Sequence, residues 1–438
     1  MSWGFGVAGV VVAFALVWPH LWKVPEHDGV HAKPFVGSWD VHDLSGLRFA
    51  VFCAGIILWI WPRFTASIAG WRLALASGAA SVVWAVALAG SPGIDAIWAP
   101  MAERHGYLGV AERLQPSAFL RHFVANADGY PIHVKGHPPG APLLFHWLSA
   151  IGLGGPRWAT VLVLVVWGLG VAAVLVATAE VAGTDTARRA SGAVAFVPAV
   201  VWAATSADAL FAGAMAVSLA AVVVASGRRD VWGDVLAVLG GAAAAFSLHL
   251  SYGLAPLLLV AVAVIAMRRR WRTAVAAAVG GAAVTAAFVA FGFWWLDGLE
   301  ATRGFYHEGI ALNRPYGYFT FAGNPGALAI SMGPPAIGGL GIAVTGFVRG
   351  RRRRELPEHW ERAILPLAVL VAVLAADLSG LSKAEVERIW LPFVPWLAAA
   401  GALVWTGIRR PTSYSQRCWL GASLALGLGI QAVLVSPW

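Results

Sequence analysis

Apolar stretches with at most a single charge near an end recur along this chain, many of them about the length needed to cross a hydrocarbon core of roughly 30 Å. Short connections rich in arginine, glycine or proline separate them. The stretches at 3–22, 44–62, 71–90, 157–179, 190–205, 209–226, 232–249, 253–267, 273–296, 326–348, 363–377, 390–407 and 418–436 predict thirteen helices, and the 190–226 region can be divided differently. Backbone groups in lipid must bond within their own segment, so the expected fold is all-α, a polytopic transmembrane helical bundle. One interval breaks the rhythm, the polar stretch Ser91 to Pro156. Within it Ala111 to Ala127 reads as a short amphipathic helix around Gln115-Pro116-Ser117, with Leu120, Phe123 and Val124 on one face. Ala141 to Leu153 reads as a second, too short to span. Both are expected to lie in the plane of the membrane interface. No internal repeat stands out. The organisation expected is an N-terminal helix pair with a polar loop (1–70), a core (71–407) and a last helix (408–438).

Composition supports the membrane assignment. Of 438 residues, 59% are hydrophobic and 12% charged, against about 25% charged in soluble domains, and mean hydropathy is +0.71. The connections at 63–72, 180–189, 227–234, 268–272, 349–362 and 409–417 hold 19 of the 31 Lys and Arg. The positive-inside rule makes these connections cytoplasmic, with Met1 inside and Trp438 outside. The net charge of +9 is then mostly an orientation signal. The basic runs are too short, and too close to helix ends, for a nucleic-acid partner. On the opposite side fall 15 of the 22 Asp and Glu and 11 of the 12 His, a segregation that topology does not require and that turns the expected chemistry outward. Cys53 and Cys418 lie in separate spans and predict no disulfide. After the first span comes Trp22-Lys23-Val24-Pro25, which is no small-residue cleavage site.

Candidate chemistry gathers on the outer segments. Asp95 follows the third span in Ser-Pro-Gly-Ile-Asp, where a carboxylate can deprotonate a hydroxyl held near the membrane; the same run also reads as a helix start. The stretch Tyr130-Pro-Ile-His133-Val-Lys135-Gly-His137-Pro138-Pro139-Gly140 places a compact cation suited to phosphate and two histidines before a stiff Pro-Pro exit. Asp208 sits between apolar segments with little loop to hold it in water, a functional site by default or a helix N-cap. Arg388 can clamp phosphate bidentately with Glu387 or Glu385 orienting it, or snorkel at a helix end. Arg314, before Pro315-Tyr-Gly-Tyr318, is a weaker version of the same idea. His27, Asp28, His31, Asp40, His42 and Asp43 suggest zinc by composition, but Gly29, Pro25 and Pro34 oppose the helical turn that would align His27 with His31.

Taken together, these features resemble the GT-C fold membrane glycosyltransferases, which include protein O-mannosyltransferases, the aminoarabinose transferase of lipid A, and actinobacterial arabinosyl- and mannosyltransferases. In that group the first outer loop begins with an Asp, carries two interfacial helices and reaches a Lys- or His-containing Pro-Pro turn. Asp95 matches the Asp, although Ala96 stands where an Asp-Glu pair is common. Lys135 and His137-Pro138-Pro139 match the turn. Ser206-Ala-Asp208-Ala-Leu-Phe211 is similar to the Asp before a later span, and Arg388-Ile-Trp-Leu-Pro392-Phe-Val-Pro395 to a late Arg-Tyr-Leu-Leu-Pro pattern. The resemblance covers about 71–407 and leaves the first two helices outside it.

The resemblance implies a sugar donor on a polyprenyl phosphate and inverting transfer to a glycan, glycolipid or protein acceptor at the outer face of the plasma membrane. It makes Asp95 the general base. It sets Lys135, His137 and Arg388 around the departing lipid phosphate and lets Asp208 orient a cation or the acceptor; His133, Arg314 and Glu387 are added as phosphate-binding candidates from the residues themselves. Dependence on a divalent metal stays open. The Ala-, Gly-, Val- and Trp-rich composition suits a high-GC actinobacterium. A flippase for lipid-linked sugars and another lipid-phosphate transferase are the competing readings.

Overall fold

The computed structural model describes residues 2–21, 31–41, 44–103, 105–353, 360–405 and 412–437. The chain is a multi-pass helical membrane protein, and each of the thirteen predicted segments contains helix. α1 (Ser2–Leu21), α2 (Arg48–Ser67) and α3 (Gly70–Ala89) precede the long loop. The loop carries α4 (Leu108–Ala111), α5 (Pro116–His122), α6 (Ile132–Lys135) and α7 (Gly140–Ala150). Then come α8 (Pro156–Ala182), α9 (Thr184–Ala195), α10 (Asp208–Gly227), α11 (Val231–Leu248), α12 (Leu258–Arg268), α13 (Trp271–Ala290), α14 (Trp295–Phe305) and α15 (Tyr316–Tyr318). The last are α16 (Asn324–Arg353), α17 (Glu361–Leu378), α18 (Val386–Ile389), α19 (Val394–Ala398) and α20 (Ser413–Val433). Among the described residues eight helices are long and apolar enough to cross a membrane.

Proline explains where the predicted spans break. The stretch expected at 190–205 ends as α9 at Ala195 and resumes as the 3-10 turn Pro198–Trp202, because Pro198 has no N–H to continue the ladder. Segment 253–267 opens as a 3-10 turn through Pro256 before α12. Segment 390–407 opens as a turn, becomes helical only at α19 with Pro395 in its first turn, and passes into the 3-10 run Ala399–Trp405. The interfacial helix expected at 111–127 shortens to α5, with Pro116 at its first position.

Small residues let the spanning helices approach closely, as is usual where lipid supplies no hydrophobic drive between helices. A Cβ on Gly78 of α3 would stand 2.1 Å from the Gly168 carbonyl oxygen of α8, and one on Gly213 of α10 would stand 2.0 Å from the Val166 oxygen. α1 packs on α16, and the Tyr318 hydroxyl donates to the Ala15 carbonyl at 2.9 Å. The only sheet among the described residues is a two-residue antiparallel pair, Ser38 opposite Val435 and Trp39 opposite Leu434.

These connections sort the helix ends. The polar-loop end holds residues 91–155, the start of α10 and the end of α20, whose Gln431 amide donates to Ser91 Oγ at 3.0 Å. The arginine-rich end holds the ends of α8, α10, α12 and α16. There Arg268 pairs with Glu180 at 3.2 Å and Arg272 with Asp234 at 2.8 Å.

Candidate active site

At the polar-loop end the short α18 is presented by an unusual backbone. Ala384 and Glu385 both adopt positive φ, 68° and 61°, a conformation in which a Cβ crowds the following carbonyl. Side chains from distant segments hold it there. Asn324, at the start of α16, donates to Asp377 Oδ1 at 2.8 Å and to the Ser382 carbonyl at 2.5 Å, and its own oxygen accepts the Ala384 N–H at 3.3 Å. The Tyr306 hydroxyl accepts the Lys383 N–H at 2.5 Å, while Lys383 Nζ donates to the Ala311 carbonyl at 3.1 Å.

The result is a buried chain of four charges. Arg388 donates through Nη1 to Asp208 Oδ2 at 2.8 Å and through Nη2 to Glu385 Oε2 at 2.5 Å. Glu385 Oε1 accepts from Arg314 Nη2 at 3.0 Å, and Arg314 Nη1 donates to the Lys383 carbonyl at 2.7 Å. Ser206 Oγ donates to Asp208 at 2.7 Å. Asp208 is 4% exposed, Arg314 and Arg388 6% each. Two guanidiniums and two carboxylates leave the chain neutral. Burial alone would raise the Glu385 pKa, but Arg388 and Arg314 hold it below the ordinary carboxylate value. Burial opposes the Arg388 charge, and Asp208 and Glu385 outweigh it and raise its pKa.

An aromatic and imidazole layer from the long loop packs on this chain. Tyr107 lies 6.2 Å from the His133 ring, 5.9 Å from His137 and 6.2 Å from Phe211, and His137 lies 5.6 Å from Phe211. His137 Nδ1 meets the His133 carbonyl at 2.9 Å. A carbonyl only accepts, so Nδ1 carries the hydrogen and Nε2 of the neutral ring is the acceptor. Burial, then the Arg388 charge and His137, lower the His133 pKa to about 3. Burial also lowers His137, against the pull of Asp208. Burial and the Asp208 charge raise Tyr107. At neutral pH all three rings are uncharged. The turn that carries the histidines is pinned from below: the Gly140 N–H donates to the His249 carbonyl at 2.8 Å, and a Cβ on Gly140 would stand 2.3 Å from that oxygen.

The residues singled out in the sequence therefore divide. His133, His137, Asp208, Arg314 and Arg388 come together. Lys135 is close in sequence, but its ammonium lies 5.3 Å above the Phe305 ring, and its carbonyl accepts from Thr302 of α14. Asp95 is exposed on a 3-10 turn at the end of α3 and, among the described residues, has no side-chain hydrogen bond or ion pair. Of the two carboxylates left open as partners for Arg388, Glu385 takes that part. Glu387 turns the other way, accepting the Val36 N–H at 3.1 Å. Its second oxygen is buried and has no partner among the described residues, and burial pushes its pKa up to about 7.

Sequence reasoning missed Tyr107 and Asn324. Asn324 had a usable signal, an amide in a charge-free apolar run; Tyr107 had none. His27, Asp28, His42 and Asp43 lie outside the described residues. Among the described residues no three His, Cys, Asp or Glu side chains gather as metal ligands.

The fold is similar to that of the Archaeoglobus fulgidus oligosaccharyltransferase in its apo form, with 14% identity and a TM-score of 0.48, covering 82% of this chain and 56% of that one. The same enzyme tethered to an acceptor peptide containing the NVT sequon gives 14% identity and a TM-score of 0.44 over 81% of this chain and 55% of that one. ArnT from Cupriavidus metallidurans in the apo state gives 19% identity and a TM-score of 0.43 over 69% of this chain and 56% of that one. No protein-family model and no curated protein matches the sequence. The chain spans about half the length of the solved structures it matches, and at these values the likeness carries nothing about residues, substrates or activity.

Proposed function

We propose that the chain is a membrane glycosyltransferase that moves a sugar from a polyprenyl-phosphate donor to an envelope acceptor at its polar-loop face, which the basic connections at the other end turn outward. The observation that carries this reading is the buried chain Asp208–Arg388–Glu385–Arg314. Charges buried in a membrane protein are costly, and buried ion pairs add little to stability over apolar replacements. Four charges drawn from three distant segments to one face are better accounted for by chemistry.

In this reading Arg388 offsets charge on the departing lipid phosphate. Both its terminal nitrogens are engaged by carboxylates, so an arriving phosphate exchanges with Asp208 or Glu385. Neutral His137 offers Nε2 as an acceptor beside that point. Lys135, on the adjoining turn, steers the phosphate from the loop side. Asp95 is the general base that takes the acceptor's proton; its exposed position leaves it within reach of a bulky acceptor.

The deciding experiment is mass spectrometry of envelope glycolipids and glycoproteins from a deletion strain, complemented with wild type or Arg388→Met. A missing sugar restored by wild type alone is expected. An unchanged envelope glycan profile overturns the reading. The broken segments 252–268 and 386–405 suit a transporter of lipid-linked sugars as well. Proteoliposomes loaded with labelled donor separate the two, since transport moves the donor intact and transfer consumes it.

A further inference from the structure

A second site lies at the opposite, arginine-rich end. The last turns of α2, most of one side of α9, Pro335 of α16, the segment 401–405 and the first turns of α20 line a cavity of about 260 Å³. Its walls are largely aromatic and aliphatic, with Trp61, Trp405 and Trp419 among them. Its charged lining residues are Asp185, Arg188 and Arg189, all on α9. Arg189 pairs with Asp185 at 2.8 Å and Arg188 stands 3.9 Å from the same carboxylate, so two guanidiniums share one acid and a positive charge is left over.

Two donors here have no acceptor among the described residues, the Trp61 indole N–H and Arg188 Nε, both buried. Trp61 is 8% exposed. Its nitrogen faces Gly192 on the cavity wall, where a Cβ would stand 3.3 Å away. The usual expectation is that buried donors are paired, and no group among the described residues fills that need.

We infer that this cavity binds an anionic phospholipid, its phosphate on Arg188 and Arg189 and the start of its apolar chain against the tryptophans. Arginine is the side chain best matched to phosphate geometry, and arginines beside tryptophans at the ends of spanning helices lie at headgroup depth. Inorganic phosphate shares the anionic chemistry but would leave the apolar walls uncovered. The cavity is smaller than the roughly 300–1,000 Å³ of a drug-sized pocket, so it takes a headgroup and the beginning of a chain, with the remainder in the bilayer. The inference does not depend on the proposed transferase activity.

The test is native mass spectrometry of the full chain in detergent, titrated with phosphatidylglycerol or phosphatidylcholine, with and without inorganic phosphate. Wild type is expected to retain phosphatidylglycerol at about tenfold lower concentration than phosphatidylcholine. Combined Arg188→Gln and Arg189→Gln should equalise the two lipids. Ala66→Phe, an exposed α2 position lining the cavity, should weaken phosphatidylglycerol several-fold with the arginines intact. The two variants act through different walls, so loss of fold in one, seen as a lowered melting temperature, leaves the other to decide. Equal retention of both lipids by wild type, or unchanged phosphatidylglycerol binding in the folded variants, overturns the site. Displacement of the lipid by millimolar inorganic phosphate overturns the lipid assignment in favour of a free anion.

Discussion

Cutting the ion chain at Arg388 separates charges that hold the fold from charges that serve chemistry. Removing one partner of a buried pair costs about 3–5 kcal/mol, because the other is left buried and uncompensated. Here the two cuts differ. In Asp208→Asn, Arg388 keeps Glu385 at 2.5 Å, so the loss belongs at the lower end, about 3 kcal/mol. In Arg388→Met, Glu385 keeps Arg314, but Asp208 is left with only the Ser206 hydroxyl, so the loss belongs near the upper end, about 5 kcal/mol. The double variant removes both charges and should cost less than the sum, with a coupling of about 1–3 kcal/mol. Unfolding of the purified chain in detergent reads these values, and sugar transfer in proteoliposomes is measured beside them. Stability recovered in the double variant without recovered transfer is the expected outcome. Single variants within about 1 kcal/mol of wild type, the range of exposed pairs, would refute the argument that burial makes this chain costly.

The pH dependence has two opposed limbs. A Glu387 that keeps its proton up to about pH 7 when folded, against an ordinary value of 4.5, contributes stability that is complete below pH 4.5 and gone above 7. Glu387→Gln should therefore flatten a loss of up to about 3 kcal/mol as pH rises. His133, held to about 3 from an ordinary 6.5, contributes stability above pH 6.5 that fades as pH falls towards 3, so His133→Gln should flatten the acid limb, both read from melting temperature against pH. Asp95→Asn should abolish transfer with melting temperature and donor binding unchanged, because the side chain is exposed; near-normal turnover removes it as the base. Gly140→Ala should destabilise the chain by about 1–3 kcal/mol, since its Cβ would stand 2.3 Å from the His249 oxygen, and an unaltered melting temperature would mean the turn yields freely.

Helix positions were legible because lipid imposes a simple rule: Ala89 and Ala182 end spans, and Pro156 begins one, close to where the apolar pattern changes. The breaks at Pro198 and Pro395 were readable in principle, since proline in an apolar run marks an interrupted ladder. The site was legible only as a set of residue types. Nothing local pairs Arg388 with Asp208, 180 positions away. Glu385 and Glu387 looked equivalent beside Arg388, and the choice between them was made by the left-handed backbone at 384–385, which depends on Asn324 some sixty positions upstream. Asp95 looked as well placed as His137, yet only His137 joins the buried cluster, because a turn at the end of a helix carries no indication of which way it faces.

The paired left-handed residues Ala384 and Glu385 have a consequence for how such a site can change. Local preference alone would let this segment relax, so its shape is imposed by contacts from distant segments, Asn324 and Tyr306 among them. A loop of this kind cannot be transplanted to another scaffold without the segments that hold it. Diversification of the site would accordingly have to begin on the surrounding surfaces, leaving this knot unchanged.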